Sequence, residues 1–355
     1  MIKVKISVGW HRLKKGIPPY KNGLSIYTFT NTENNIFNKK KYYINENVEN
    51  PDYWFILENT KSNKIEEVFI NPKNIFFLNS ETRYEPSYFM KNSKRKFLEQ
   101  FSEIYSPNFI NMKNTINCPP FLAWKLRGDP FDDFYESSDL DFYKNYKPKK
   151  TKLLSVYCTN KEITEIQKVR LDFVKKLKNT LGDDMDWYGD KNKTETKIEG
   201  ISSYKYHLVL ENQIGYNFIS EKLFDSYLGG AFPIYSGAPN ISHYFPKDSY
   251  RYINLNNFSD SIDTIKKILD SNLYENSIDI INKSKEIALE EFNLIKRIDK
   301  LVDIKEANKD TLSNQIKCSI MPKISFENKS FVAKFIFKIN KLLKNITSKL
   351  DTFYN

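Results

Sequence analysis

Glu221 and Lys222 are the residues whose types and positions most clearly suggest chemistry. Both fall in the first turn of a predicted helix that begins near Ser220. Free N–H groups and the dipole at a helix N-terminus favour a phosphate, and a lysine there adds a full positive charge. A glutamate at the same place opposes a phosphate, so Glu221 is predicted to accept hydrogen bonds from sugar or ribose hydroxyls. The pair indicates a nucleotide-sugar site, although glutamate is also common early in helices for dipole reasons alone.

The elements around this helix are those that an α/β binding site needs. A buried strand predicted at 206–212 delivers Glu211 and Asn212 to its carboxyl end, and a loop with Gly215 leads into the helix. A second strand, 231–237, follows and closes in a turn. Because ligands of open α/β sheets bind at the carboxyl ends of the strands, the loop and the helix start should form one site.

Residues 204–239 resemble the signature of the α1,3/4-fucosyltransferases, glycosyltransferase family 10. That signature runs approximately Y-K-F-x-L-x-F-E-N, then G-Y-V-T-E-K-(I/L)-x-D, then (I/V)-P-(I/V)-Y-x-G-x-P. The chain departs from it at Leu210, which replaces a Phe, at Phe218, which replaces a Tyr, and at Ser236, where Trp is common. The matching residues are Tyr204, Lys205, Glu211, Asn212, Glu221, Lys222, Asp225, Pro233, Tyr235, Gly237 and Pro239.

A second, weaker match lies upstream and places an arginine near the same site. The strand 152–160 with its Thr159-Asn160 turn, the helix with Arg170 and Phe173, and the segment 186–189 are similar to the family's strand, R-x-x-F helix and D-x-x-G segment. The resemblance implies that Arg170 contacts the diphosphate, a role that suits its planar fork of donors. The alternative is an ordinary arginine on a helix surface. The implied donor-binding residues are Arg170, Asn212, Phe218, Glu221, Lys222, Tyr216 and Asn160.

The resemblance also implies the reaction and its base. It implies an inverting transfer of L-fucose from GDP-L-fucose to a hydroxyl of N-acetylglucosamine or glucose, α1,3-linked, in a surface polysaccharide or lipopolysaccharide. The acceptor is expected to be an oligosaccharide or a lipid-linked glycan, and another GDP-deoxysugar is the alternative donor. No metal is implied as obligatory, with Mn²⁺ or Mg²⁺ at most stimulatory. The predicted base is Glu81, directly after the strand 74–80, and Glu85 is the second candidate.

Strands that alternate with helices on both sides of the segment 144–152 predict two α/β units with parallel sheets. The fold class is therefore α/β of the GT-B type, with two Rossmann-like domains facing a cleft and a C-terminal amphipathic helix. The predicted domains are 1–150 for the acceptor, 151–325 for the donor and a basic tail, 326–355.

Four predictions concern single elements. Alternation of apolar residues indicates a strand at 2–8, and residues 52–58 are a buried strand. Residues 91–105 are predicted to be helical. Residues 162–180 are predicted to form an amphipathic helix in which Arg170 lies one position off the apolar stripe.

The C-terminal residues 331–353 combine one apolar helical face with a lysine-rich opposite face. That pattern suits a helix lying on an anionic membrane surface, while a last helix packed on the protein body is the alternative. No signal peptide or apolar run of membrane-spanning length is found. The expected location is cytoplasmic, peripheral at the inner face of a membrane.

Composition leaves two other function classes open. A net charge of +11 with 15% aromatic residues allows a nucleic-acid-binding protein, but the lysines are dispersed and no such motif is found. The spacings Asp184-Met185-Asp186 and Asp139-Leu140-Asp141 allow a metal-dependent transferase of the GT-A type. Three widely spaced cysteines and three histidines predict neither a disulfide framework nor a metal site.

Overall fold

The computed structural model of the protein describes residues 1–9, 36–80, 91–127, 140–190, 192–194, 196–308 and 315–327. The base candidates Glu81 and Glu85 and the amphipathic tail 331–353 lie outside these residues. No helix in the described ranges has the length and apolarity needed to cross a bilayer.

Two parallel sheets dominate the described part of the chain. The N-terminal sheet has the order β2-β3-β1-β4-β6-β7-β8, and the C-terminal sheet has the order β10-β9-β11-β12-β13. Only β2 and β3 pair antiparallel within them, while a separate antiparallel pair joins β5 to β14. The strands are β1 Ile2–Val8, β2 Ile36–Phe37, β3 Lys40–Ile44, β4 Tyr53–Leu57, β5 Glu66–Ile70, β6 Ile75–Leu78, β7 Glu103–Ser106, β8 Thr115–Asn117, β9 Lys152–Tyr157, β10 Met185–Tyr188, β11 Tyr204–Leu210, β12 Phe232–Ser236, β13 Arg251–Tyr252 and β14 Ile316–Ile320.

Helices lie between and beside these strands, which confirms the predicted α/β class with two parallel-sheet units. Parallel strands need such crossover connections, and the helices cover the sheet faces. The α-helices are α1 Asn92–Leu98, α2 Leu140–Asn145, α3 Glu165–Leu181, α4 Ile198–Ile201, α5 Glu221–Leu228, α6 Phe258–Leu269, α7 Leu273–Asn276, α8 Ile278–Glu291 and α9 Leu294–Ala307.

The first strand is buried on both faces. Its alternating pattern predicts the strand correctly but suggests one exposed face, whereas Val4 to Val8 are all buried. The reason is that β1 pairs with β3 on one side and β4 on the other, in the middle of a covered sheet. The buried Lys5 ammonium remains paired, at 3.0 Å from the carboxylate of Glu66.

The N-terminal sheet packs α1 on one face and α9 on the other. The prediction of one helix over 91–105 is wrong beyond Leu98, because residues 103–106 form β7. Ile104 is fully buried and lies in register with Phe77 of β6. Pairing with a neighbouring strand in a buried sheet therefore overrides the helical pattern, as tertiary context commonly does.

Helix α3 confirms the predicted helix near 162–180, but its buried face differs from the predicted one. Ile163 precedes the helix and is 78% exposed, whereas Arg170 is only 4% exposed. Thr164 caps the helix, since its side chain accepts from the backbone N–H of Gln167. This start orients the helix so that Arg170 and Leu171 face the C-terminal sheet.

Within the described residues, the chain passes twice between the core of the N-terminal unit and the core of the C-terminal unit. In the first crossing, Phe121 belongs to the N-terminal core and Trp124 to the C-terminal core. In the second, Phe292 lies in the C-terminal core and Leu294, at the start of α9, in the N-terminal one. The Arg297 guanidinium joins the crossings, because it donates to the carbonyls of Pro119 and Pro120 and lies 3.8 Å from the centre of the Phe121 ring.

The carboxyl edges of the two parallel sheets meet. Asn117, the last residue of β8, accepts a hydrogen bond from the Asn217 side chain, which lies in the loop between β11 and α5. Two parallel α/β units that face each other through these edges are what the GT-B type predicts.

Candidate functional site

Arg170 reaches the carboxyl end of β11 from helix α3. Its Nη1 donates to the side-chain oxygen of Asn212 and, at 3.4 Å, to the carbonyl of Leu210. Its Nε is buried and has no hydrogen-bond partner in the described residues. A buried donor without a partner is costly, because the group loses its hydration without compensation. The contacts with Asn212 and Leu210 therefore hold a positively charged group at the end of this strand.

Glu211 fixes the start of helix α5 against the end of β11. It is only 1% exposed, and its Oε1 accepts from the backbone N–H of Ser220 at 2.8 Å. The Ser220 hydroxyl in turn caps the helix by accepting from the Lys222 backbone N–H at 3.3 Å. A Cβ at Gly237 would lie 2.5 Å from Glu211 Cγ, so the glycine leaves room for this carboxylate.

Lys222 is held beside that carboxylate rather than in open solvent. Its Nζ donates to the Ser220 hydroxyl at 3.1 Å and lies 3.8 Å from Glu211 Oε2. This second oxygen of Glu211 is buried without a hydrogen-bond partner in the described residues. Burial raises the pKa of Glu211, and the Lys222 charge only partly opposes the change. The lysine thus places a positive charge at a helix N-terminus, where the helix dipole also favours an anion.

Glu221 is ionised at neutral pH despite its position in the interior of the site. Burial would raise the pKa of Glu221, but Lys222, Lys197 and Lys125 together lower it below its ordinary value. The ammonium groups of Lys222 and Lys197 lie 3.5 and 3.6 Å from its Oε1. An ionised carboxylate only accepts hydrogen bonds, which fits the predicted contact with hydroxyl groups.

Lys197 and Asp225 complete the charged cluster. The sequence analysis names neither of them as a site residue. Lys197 Nζ lies 2.7 Å from Asp225 Oδ2, and the other oxygen of Asp225 accepts from the backbone N–H of Lys125 at 2.8 Å. Burial raises the pKa of Asp225, opposed by Lys197. The spacing of Asp225 four residues after Glu221 was the available signal, since such pairs share a helix face. Nothing in the sequence indicates that Lys197 reaches them.

His207 is a further residue that the sequence analysis does not place in the site. It is buried in β11, and its Nδ1 lies 2.8 Å from the Ser155 hydroxyl. Burial lowers the pKa of His207 to about 3, so the imidazole is neutral at neutral pH. With Lys197, Lys222 and Tyr157 it lines a cavity of about 10 Å³, room for about one water molecule. That cavity is too small for a nucleotide sugar.

The remaining predicted residues lie around the same edge. Phe218 is buried in the loop before α5, whereas Tyr216 in that loop is 69% exposed. Asn160 follows β9, the strand next to β11, and its backbone N–H donates to Asp190 at 2.7 Å. The structure therefore brings Arg170 and Asn212 together at the end of β11, with Glu221 and Lys222 joined to them through Glu211.

The described residues contain no group of three His, Cys, Asp or Glu side chains that could hold a metal ion. Asp186, from one of the D-x-D spacings, accepts from Lys152 at 2.8 Å and from the Tyr204 hydroxyl at 2.5 Å. Lys152 and Tyr204 are the first residues of β9 and β11, so this carboxylate is bound toward the edge opposite to Glu211.

Comparison with known proteins supports the resemblance drawn from the motifs. Residues 147–277 match the model of glycosyltransferase family 10 (fucosyltransferase), C-terminal part. The alpha-(1,3)-fucosyltransferase FucT of Helicobacter pylori is 36% identical over 114 residues, which are 30% of this chain and 22% of that protein. The human 4-galactosyl-N-acetylglucosaminide 3-alpha-L-fucosyltransferase 9 is 32% identical over 89 residues, 24% of each chain. The matched stretch thus spans less than a quarter of these relatives.

Solved structures of an alpha1,3-fucosyltransferase are similar over more of the chain. One covers 87% of this chain and 91% of its own, with 17% identity and a TM-score of 0.49. The same kind of enzyme with GDP covers 78% of this chain and 81% of its own, with 18% identity and a TM-score of 0.46.

Proposed function

Starting from the glycosyltransferase family 10 match over residues 147–277, we propose that this protein is a glycosyltransferase that uses GDP-L-fucose. One observation supports the proposal above the others. The family's motif residues Arg170 and Asn212 contact each other at the carboxyl end of β11, and Lys222 lies beside both Glu221 and the buried Glu211 of the same strand end. The carboxyl ends of the strands are where open α/β sheets bind their ligands.

The proposed donor contacts follow from the charged and hydrogen-bonding groups of the cluster. The diphosphate lies at the N-terminus of α5, where Lys222 supplies one charge and the guanidinium of Arg170, at the end of β11, supplies a second. The ionised Glu221 accepts hydrogen bonds from the ribose or the sugar. Asn212, Tyr216, Phe218 and Asn160 surround this position. Phe218 contributes a ring but no hydroxyl, so it makes no hydrogen bond to the phosphates.

The proposed reaction is a single displacement at the anomeric carbon. The acceptor hydroxyl loses its proton to a carboxylate as its oxygen bonds to the anomeric carbon, and the bond from that carbon to the phosphate oxygen breaks. We assign the base to Glu81, with Glu85 as the second candidate. Charge that develops on the departing GDP is stabilised by Arg170 and Lys222, in an oxocarbenium-like transition state. These cations stabilise the charge that a metal ion would otherwise stabilise. No obligatory metal is therefore proposed, and Mn²⁺ or Mg²⁺ is at most stimulatory.

The acceptor side of the proposal rests on the resemblance. We propose an oligosaccharide or lipid-linked glycan acceptor, fucosylated α1,3 on N-acetylglucosamine or glucose of a surface polysaccharide or lipopolysaccharide. The basic tail 331–353 is proposed to hold the enzyme at the anionic inner face of a membrane.

For the Asp184–Asp186 spacing, the metal-dependent alternative is disfavoured by the contacts of Asp186, whereas Asp139 of the other spacing lies outside the described residues. The Asp186 carboxylate is already bound by Lys152 and Tyr204, and these partners lower its pKa although burial opposes them. Full turnover in EDTA is expected, and loss of turnover that Mn²⁺ restores would instead favour the alternative.

The donor is tested by calorimetry with GDP-fucose, GDP-mannose and UDP-sugars. We expect GDP-fucose to bind, and Lys222→Ala to weaken its binding by about tenfold or more, as loss of a charge-assisted hydrogen bond to phosphate predicts. The matched control is Lys176→Ala, which removes an exposed lysine of α3 paired with Asp172. Binding of UDP-sugars alone, or an equal effect of both variants, would contradict the proposed site.

The base is tested by turnover of Glu81→Gln. This variant is expected to retain donor affinity and lose turnover, because the amide cannot take the acceptor proton. Turnover at the level of the unsubstituted enzyme would assign the role of base to Glu85 instead.

Inversion is tested separately, by determining the anomeric configuration of the product by NMR.

A further inference from the structure

The loop between β11 and α5 makes a contact that the proposed chemistry does not use. Residues 213–219, called the donor loop below, lead into the helix start that holds Lys222. Asn217 in this loop is 8% exposed and has a φ of +62°. Among non-glycine residues, asparagine is one of the few that adopt this left-handed conformation readily. The backbone at this position thus favours asparagine or glycine, and asparagine adds an amide group.

The amide oxygen of Asn217 is fully used within its own half of the molecule. It accepts from Asn240 Nδ2 at 2.7 Å and from the Tyr244 hydroxyl at 2.5 Å. Asn240 also accepts from the Asn217 backbone N–H at 2.9 Å, which closes a reciprocal pair. Because these bonds fix the rotation of the side chain, its Nδ2 has a defined direction.

That Nδ2 donates across to the other parallel sheet. The acceptor is Oδ1 of Asn117, the last residue of β8. Asn117 is itself oriented, since its Nδ2 donates to the carbonyl of Ser106 at the end of β7 at 3.2 Å. The two amides therefore join the carboxyl edge of the N-terminal sheet to the donor loop.

The chain beyond Asn117 connects this contact to the first crossing between the cores. Cys118 follows directly, and Pro119 and Pro120 accept from the Arg297 guanidinium at 2.8 and 2.6 Å. Tyr244 packs edge-on against Phe292 of the second crossing, with ring centres 6.0 Å apart. Any change in the relative position of the two halves must therefore act on the Asn117–Asn217 contact.

We propose that Asn217 is a positioning residue through which the N-terminal half holds the donor loop in its binding conformation. This inference rests on the proposed function, because it concerns the binding of GDP at the start of α5. The donor loop lies between Glu211 and Ser220, which fix Lys222. Greater mobility of the loop would therefore position Lys222 less well for binding the diphosphate. Binding of the nucleotide in one half thereby depends on contact with the other half.

The position allows a clean substitution. Asn217→Gly keeps the left-handed backbone accessible and removes the amide with its bonds to Asn117, Asn240 and Tyr244. Asn117→Ala removes only the partner from the opposite sheet. We expect each variant to weaken GDP binding by about tenfold in calorimetry, a loss of the size that one hydrogen bond can supply. The double variant should bind no more weakly than Asn217→Gly alone, because that variant already lacks the contact with Asn117.

The matched control is Asn50→Gly, at an exposed asparagine with a φ of +49°. It is expected to leave GDP affinity unchanged, which separates loss of the amide from a general effect of glycine in the unfolded chain. If Asn117→Ala changes thermal stability but not GDP affinity, or if the two variants add fully, the proposal is overturned.

A second measurement does not depend on any nucleotide. Amide hydrogen exchange in residues 211–222 should become faster in Asn117→Ala, although the substitution lies in the other half of the molecule. Unchanged exchange there overturns the inference whatever the enzyme's substrate. Failure of the unsubstituted protein to bind GDP would instead contradict the proposed function, while the exchange result would still report on the contact.

Discussion

At the scale of single residues, burial decides which of the predicted site residues can act. Arg170 is predicted from its resemblance to a motif, but its environment is not readable from the helical pattern, which placed it off the apolar stripe. The structure puts it at 4% exposure against Asn212. A guanidinium held in place by Asn212 is oriented for a phosphate in a way that a mobile surface arginine is not.

Arg170→Lys is expected to weaken GDP binding by about tenfold or more, because a single ammonium cannot both reach Asn212 and replace the fork of donors. Calorimetric titration with GDP measures the effect. Lys168→Ala on the same helix, exposed and paired with Glu165, serves as the control and should bind as the unsubstituted protein does. Equal affinities for the two variants would show that Arg170 has only a structural role.

Glu211 gives a prediction of pH dependence. Burial raises its pKa above the ordinary value of 4.5, with Lys222 opposing in part. A carboxyl group whose pKa is raised in the folded state favours folding while it is protonated, and this contribution is lost as the pH rises through the folded pKa. Glu211→Gln keeps an oxygen for the Ser220 N–H and cannot ionise. Its free energy of unfolding, relative to the unsubstituted protein, should therefore increase as the pH rises above about 4.5.

Urea unfolding of both proteins across that range measures the difference. The comparison cancels the titration of groups that the two proteins share. A difference that stays constant with pH would show that the pKa of Glu211 is the same in the folded and unfolded states.

At the scale of elements, two helix caps with similar geometry have different consequences. Thr164 caps α3 in a reciprocal arrangement with Gln167, and Ser220 caps α5. The Ser220 hydroxyl also accepts from Lys222 Nζ at 3.1 Å, so it belongs both to the helix start and to the charged cluster.

Ser220→Ala and Thr164→Ala are each expected to lower the free energy of unfolding by about 1 kcal/mol, the usual cost of losing a cap. Only Ser220→Ala should also weaken GDP binding, because it releases the Lys222 ammonium. Denaturant unfolding and calorimetry on the same pair of variants separate the two effects. If both variants bind GDP equally, the capping hydroxyl does not position Lys222.

At the scale of the whole molecule, α9 returns from the C-terminal half to pack on the N-terminal sheet. Asp299 on this helix is buried and accepts from Lys40 at 2.9 Å and from the Tyr42 hydroxyl at 2.5 Å. Asp303, one turn later, also pairs with Lys40 at 2.7 Å, but its side chain is 62% exposed. The two carboxylates share a partner and differ in burial.

Asp299→Ala is expected to lower the free energy of unfolding by about 3 kcal/mol, because it leaves the buried Tyr42 hydroxyl without this acceptor and the buried Lys40 ammonium with only the exposed carboxylate of Asp303. Asp303→Ala should cost less than about 1 kcal/mol, as exposed ion pairs do. Urea unfolding of the two variants makes the comparison. Similar losses would show that burial does not set the strength of this contact.

The main strands and helices of the C-terminal unit could be predicted from the sequence because hydrophobic period and turn residues are local properties. The strand before Glu211, the cap at Ser220 and the first-turn positions of Glu221 and Lys222 all followed from a few neighbouring residues. The short strands β2, β3, β5 and β8 were not predicted. The helix expected at 91–105 was wrong past Leu98 because β7 forms by pairing with β6 and β8, and its partners in β6 lie 27 residues earlier in the chain. The burial of Arg170 likewise depends on the sheet beneath α3.

The α/β class, the family resemblance and the charged residues at the end of β11 could all be predicted, because each depends on short contiguous motifs. The contacts of Lys197 and Asp225 with those charges, and of Asn117 with Asn217 a hundred residues away, form only in the folded chain. A hydrogen bond or an ion pair depends on a separation of about 3 Å in space. Distance along the chain has no bearing on it once the two sheets have folded and met.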